Sequence, residues 1–576
     1  NEIPPTYRDT VRRGILAWNS AFAKVGYPHA IVVNDPPDDP KFDPEDARYN
    51  SVRWITSESP DFVAESPHVS DPDTGQIIRT EVVIDGESMR AVRRGYVDRV
   101  QPVLHIQRNA FIAMSQLEPL TDDASGPSDD LTCDVAGSEA NQAALGMAML
   151  IGEMHGTVAQ REAYAQQFLY STVMHEVGHT LGLRHNFEGS TAFTYAELHD
   201  PAFTHAHGTT GSVMDYTPAN IAAPGERQAD YFPNQLGPYD YWAIQYGYTP
   251  LHQHSSDAEL PALRKIAARS TQPGLAYGTD EDAAEPYGVD PRIQRFDLSS
   301  DPLAFARDQF RIDDDLAAGL TRRYPGDSRT YQDLRQTLIS VLNNDLSNIS
   351  IAARYIGGVY TSRSHRGQPG GSAPFAPVPR TEQRRAFELI DRYVLSVHAL
   401  NYPPEMLNDV APVRYSADWS STGVRRTDFP IREIVAQLQD DAISSLFNPA
   451  SISRIANESL KEAHPGQTMD LSDLFEWTNA AIFDDLGNHT IPAPHRDLQR
   501  RFADLELQIA FLGSGSMDQL GVPREIQSLA RYELRKIRTR LDGAYRAASD
   551  VATRAHLDDL RSRIDTGLHP GALRPL

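Results

Sequence analysis

One run of eleven residues constrains this chain more than any other: His175-Glu176-Val177-Gly178-His179-Thr180-Leu181-Gly182-Leu183-Arg184-His185. On a helix, His175 and His179 lie one turn apart on the same face, so both rings can turn a nitrogen toward a single point. Glu176 stands one residue further round, and its carboxylate reaches a water held at that point rather than the point itself. Gly182 falls where such a helix has to stop. Without a Cβ it takes positive φ, and the chain turns back to bring His185 to the same place. The spacing therefore demands a helix, a glycine turn and a return segment.

Three neutral nitrogens with one position left open form the donor set of a catalytic zinc ion (Zn2+), whereas structural sites are closed by a fourth ligand. An ion so held keeps its full charge and lowers the pKa of a bound water. The five-residue His-Glu-x-x-His also occurs on ordinary surface helices; the eleven-residue pattern is far more restrictive. A rival arrangement takes its third ligand from a later glutamate, and Glu197 stands eighteen residues beyond His179. In that case Gly182 and His185 would be coincidences, and Glu197 sits in a short run closed by Pro201.

The long motif, followed by Ser212-Val213-Met214-Asp215-Tyr216, resembles the metzincin zinc peptidases with their Met-turn. The resemblance implies that Met214, 29 residues after His185, floors the metal ligands without binding the ion. Tyr216 then matches the tyrosine of astacin-like and serralysin-like branches, as a fifth zinc contact or a catalytic hydrogen bond to the oxyanion. A packed aromatic is the competing reading. Asn186 matches none of the residues common after the third histidine, so the branch is unusual. The closest likeness is to large bacterial zinc-dependent metalloproteases with a helical region behind the catalytic part. Segments 14–22, 49–54 and 239–248 carry it together with the zinc motif. That family implies secretion, or a periplasmic or cell-surface location, and a chain opening at Asn1 reads as a processed or trimmed form.

The expected fold is α+β: a metzincin-like catalytic domain, with a twisted mixed sheet and an active-site helix, followed by a mainly α-helical region. The expected divisions are 1–250 for the peptidase domain, with an insertion at about 86–158, then a mixed connecting region 251–380 and a helical bundle 381–576. Periodicity gives a helix over 7–25 capped by Gly26, then strands at 30–33, 52–55 and 76–84. By resemblance, the last is the sheet edge beside the cleft, to which an extended substrate would add by main-chain hydrogen bonds; an ordinary hairpin strand fits equally well. The insertion reads as helical near 88–114 and 138–155. Residues 363–379, rich in Gly, Ser and Pro, read as a long loop or linker. Beyond 381, Phe387, Ile390, Val394 and Val397 share one helix face, as do Ile526, Leu529, Ile537 and Leu541.

A net charge of -24 argues against nucleic acid, and no apolar run is long enough to span a bilayer. The single cysteine, Cys133, excludes an intrachain disulfide and lies within the catalytic part rather than upstream, where a zinc-capping thiolate belongs. Two acidic runs offer oxygens of the kind calcium (Ca2+) takes: Asp35, Asp38, Asp39, Asp43, Glu45 and Asp46, and then Asp122, Asp123, Asp129, Asp130 and Asp134. Solvated acidic loops are the simpler account. His205 and His207 lie near the site in sequence but read as loop histidines. The expected activity is zinc-dependent endopeptidase action on a protein or peptide, Glu176 taking the water proton and returning it to the leaving amine. The reading from another class is an inactive, zinc-stabilised binding or scaffold protein. Oligomeric state has no signal in the sequence.

Overall fold

Two helices open the fold, α1 (Pro5–Ala17) and α2 (Asn19–Lys24), where periodicity suggests one. The break falls at Trp18, whose ring is fully buried and whose indole N–H donates to Met174 O at 2.9 Å. That bond ties the opening helices to the helix carrying the histidines. Gly26 takes φ +98° just beyond α2. This computed structural model describes residues 2–37, 39, 41–57, 62–96, 136–152, 156–223, 225–284, 288–323, 330–412, 428–462 and 464–569.

Residues 30–33, expected as a strand, are not one. The Ile31 amide donates to Asn19 Oδ1 and the Ile31 carbonyl accepts from Asn19 Nδ2, both at 2.9 Å. One side chain satisfies the backbone pair that a ladder would have used.

The main sheet contains β1 (Ser51–Ile55), β2 (Ala64–Glu65), β3 (His68–Ser70) and β4 (Ile77–Asp85). β4 lies in the middle. β1 runs parallel to it, from Ser51 opposite Glu81 to Ile55 opposite Asp85, and β2 and β3 run antiparallel along its other side. This corrects the expectation that residues 76–84 form the edge beside the cleft: that edge is residues 64–70. Nine residues with Val82 and Ile84 buried can pair on both sides, whereas Pro67, with no N–H to offer, belongs on an edge.

Asp85 caps α3 (Gly86–Arg94) by accepting from Glu87 N at 2.7 Å. Gly95, at φ 75°, closes this helix well short of residue 114. Residues 97–135 lie outside the described residues, and with them Cys133 and the acidic run Asp122 to Asp134; Asp38 does too. The chain resumes in α4 (Ala136–Gly152), packed against α3 and α5 (Val158–Thr180). A Thr157–Gln160 capping box starts α5, which carries the His motif at its C-terminal end.

Helices dominate from there: α6 (Pro238–Tyr248), α7 (Pro302–Arg323) and α8 (Tyr331–Ala353). The segment read as a long loop or linker is a loop over most of its length, and it closes a hairpin, β5 (Val359–Thr361) paired with β6 (Phe375–Pro377). α9 (Arg380–Ile390) runs on into a π-turn at Asp391–Leu395, and α10 (Ile431–Leu446), α11 (Leu471–Ile482), α12 (Ala493–Phe511), α13 (Glu525–Ala547) and α14 (Val551–Leu568) complete the bundle. Phe387, Ile390, Val394, Ile526, Ile537 and Leu541 are buried, as their shared faces suggest, whereas Leu529 is half-buried and Val397, also half-buried, lies beyond the π-turn. A continuous apolar core runs from Tyr7 to Ile564. α4 bridges its halves with polar contacts as well, Gln142 Nε2 donating to Asn344 Oδ1 on α8 at 2.7 Å.

Candidate active site

His175 and His179 meet at the end of α5 as their spacing requires. The Nδ1 of His175 donates to Val213 O at 2.7 Å, and that of His179 to Leu183 O at 2.9 Å. A carbonyl only accepts, so both rings carry their proton on Nδ1. Their bare Nε2 atoms then face each other at 3.0 Å. Gly182, at φ +86°, makes the turn, and His185 arrives with Nδ1 on Asp280 Oδ1 at 2.9 Å and a buried Nε2 that has no protein partner. Ligand atoms of the three rings lie within 4.8 Å of one another. Burial, then repulsion from the neighbouring rings, holds His175 well below the usual histidine range and brings His179 to about 4. Neutral rings with converging lone pairs repel unless a cation sits between them. The residues therefore fit zinc.

Glu176 is buried in the same turn, and Ser66 on the sheet edge donates to its carboxyl and, at 3.0 Å, to its backbone carbonyl. Burial pushes this carboxyl up to about 8; the Ser66 bond works against that shift, and Glu139 and Glu65 add to it. A dication at the ligand point draws the value down again.

Under the helix, a Cβ on Gly178 would stand 2.2 Å from the sulfur of Met214 and 2.9 Å from the Trp18 ring. Only glycine lets the fully buried methionine close against α5 between the two ligands. Asp240 on α6 fixes the turn that presents it, accepting from Ser212 Oγ at 2.7 Å, Val213 N at 2.9 Å and Gly237 N at 2.7 Å. Burial raises Asp240 to about 6. The Tyr216 ring packs against His175 and His185, with centroids 5.2 and 4.6 Å away, and Phe296 stacks behind it at 6.2 Å.

Asn186 acquires a structural reason. Its amide nitrogen donates to Ala276 O at 3.0 Å and its amide oxygen accepts from Gly278 N at 3.1 Å. One side chain thus clips residues 276–278 alongside the third ligand, and two residues later the same strip delivers Asp280. Burial opposes the charge on Asp280, yet His185, Arg295 and Thr279 hold its carboxyl well below the usual range. Sequence reasoning missed both Asp280 and Ser66. Each lies about a hundred residues from its partner, and no local pattern marks it.

The rival ligand does not join the site: Glu197 is half-buried and accepts from Thr194 N and Oγ1, both at 2.8 Å, as a helix cap. His205 and His207 are exposed on the helix Pro201–His207. The acidic run near residue 40 is spent on its own turns and on arginines, Asp35 with Arg12, Glu45 with Arg53 and Asp46 with Arg48, and it forms no metal-like group among the described residues. A second such group, Asp484, Asp485 and His495, has both ring nitrogens of His495 taken, by Asp485 at 2.7 Å and Leu395 O at 3.1 Å.

The donor set admits zinc with a coordination position to spare, and the methionine floor beneath it is the construction of the metzincin clan of metallopeptidases. Residues 157–490, more than half of the 576, match the protein family described as Met-zincin, and the chain belongs to that family. The match takes in the His motif, the Met-turn and Asp280, and it begins after the sheet. Among curated proteins and solved structures, none matches the chain.

Proposed function

We propose that the chain is a zinc-dependent endopeptidase in which Glu176 moves the protons. The observation that carries this reading is the bond between the sheet edge and Glu176, the residue next to the first ligand. Its carboxyl belongs to the ligand turn and is held by Ser66, which stands between β2 and β3. Among the described residues no strand pairs with the outer side of that edge. An extended chain laid antiparallel along it would pass Glu176 and continue in both directions, so the bond presented is an interior one.

Zinc, held by His175, His179 and His185, would supply Lewis acidity at the attacked carbonyl and a lowered pKa to water at the site. Glu176 takes the proton of the attacking water and releases it to the departing amine nitrogen. The hydroxyl of Ser66, which donates to this carboxyl, holds it in position through the two steps. Tyr216, whose ring packs on two ligand rings, would donate a phenol hydrogen bond to the developing oxyanion.

Glu176→Ala should keep stoichiometric zinc by metal analysis while cleavage of a denatured protein falls by about a hundredfold or more. Near-normal cleavage by that variant would sink the assignment. Internally quenched peptides blocked at both ends separate the modes: an endopeptidase cuts them, and an enzyme needing a free terminus does not. A scaffold would lose fold or binding on chelation without ever having cut a substrate.

A further inference from the structure

The turn that separates the second and third histidines has a second face, away from the ligand point. Leu181 to Arg184 border a cleft of about 1240 Å³ that runs between α6, residues 264–277 and the hairpin loop 361–372. The loop is fastened in place: Gln368 Nε2 donates to Ala268 O at 3.0 Å, and Thr271 Oγ1 donates to Pro369 O at 2.8 Å. Asn186 holds another wall through Ala276.

The lining inverts the character of the molecule. The chain has 78 acidic side chains against 54 Lys and Arg, yet five arginines and one carboxylate, Glu188, line this cleft. Burial pushes Glu188 up to about 7, so it opposes an anion only weakly. Arg184, Arg292 and Arg363 are oriented by Glu281, Asp290 and Asp282, none of which lines the cleft. Arg264 and Arg366 are exposed and make no ion pair among the described residues. The floor is aromatic, with Tyr239 stacked on Tyr277 at 5.6 Å and Trp242 edge-on to Tyr239 at 5.7 Å.

We infer that this cleft is an exosite for an acidic stretch of polypeptide, held by Arg264 and Arg366 over the tyrosine floor. Its volume exceeds the roughly 300–1,000 Å³ of small-molecule pockets, so it takes several residues of extended chain rather than a single anion. The overall charge does not forbid this, because charges further off than about 8 Å are screened at physiological salt, and the arginines act at contact. A nucleic acid strand also likes arginine and aromatic rings, but its charge is continuous and would meet the acidic surface beyond the cleft. That the bound stretch belongs to a substrate rests on the peptidase reading; the binding does not.

The test uses a fluorescent peptide of alternating Glu and Ala, its Lys-Ala counterpart and a single-stranded DNA oligomer, titrated by anisotropy into the full Glu176→Ala chain. The Glu-Ala peptide should bind at least about tenfold tighter than the Lys-Ala peptide, and more weakly as salt rises. Arg264→Glu with Arg366→Glu should cost it about tenfold or more, since two exposed charge contacts become repulsive. Both positions are exposed, and retained thermal unfolding of the double variant checks that it folds. Equal binding of the two peptides, equal binding by the double variant, no peptide binding, or binding of the oligomer alone each overturns the exosite. In the active chain the double variant should lower kcat/KM on a quenched peptide with acidic flanks and leave a neutral one unchanged; equal loss on both also overturns it. A parent chain that cuts neither peptide removes the peptidase reading, while the anisotropy result still decides the exosite.

Discussion

Asp280 holds the ring of His185 from the side opposite the ligand point. Asparagine in its place keeps the size but loses the charge that makes the imidazole a stronger donor. Asp280→Asn should weaken zinc binding by roughly ten- to a hundredfold, read by competition with a chromophoric chelator; unchanged affinity would reduce Asp280 to packing. Gly178→Ala should overpack the Met214 contact and lower stability by about 1–3 kcal/mol, measured as a shift in denaturant midpoint at constant slope. At this scale the sequence was informative wherever chemistry repeats at helical spacing. The ligand rings, the positive φ of Gly182 and the position of Met214 all follow from counting residues. Asp280 and Ser66 do not, because a hydrogen bond made across the fold leaves no mark on the residues next to it. Asn186 was visible as odd, but its reason needed the strip it clips.

The sheet shows what alternation leaves out. Hydrophobic patterning finds β4 and its parallel neighbour β1 but not the antiparallel side, where the edge belongs to two fragments of two and three residues, too short to alternate visibly. Pro67 was the available signal, since a residue without an N–H is tolerated on an edge and not in the middle of a sheet. The helical half was legible in its apolar faces and not in its buried polar groups. Glu506 on α12 is fully buried, accepts from Asn479 of α11 at 2.7 Å, and has its second oxygen unpartnered. Burial raises it from 4.5 to about 8. The folded state thus binds a proton that the unfolded chain releases at lower pH. This contribution to stability is fully present below about pH 4.5 and is lost as pH rises to about 8. Glu506→Gln should flatten that part of the pH–stability profile, and an unchanged slope in urea titrations across the window would refute the assignment.

Across the whole molecule, zinc is expected to act as a stabiliser as well as a cofactor, because its ligands and their supports come from α5, the Met-turn and the strip around Asp280. Metal that binds only the folded chain adds about 4 kcal/mol at a thousand times its dissociation constant, so chelation should lower the Tm and added zinc restore it. A Tm indifferent to chelator would place the ion outside the folded core. The apolar core that joins the sheet to the last helix makes the same dependence global, since the elements that carry the site share that core with the helical half. The long reach from His185 to Asp280 also sets an order in time. A chain growing from the ribosome has all three histidines complete ninety-five residues before Asp280 is added. Until that strip is made and clipped to Asn186, the third ring lacks its support, so a nascent chain is expected to hold zinc less tightly than the finished one.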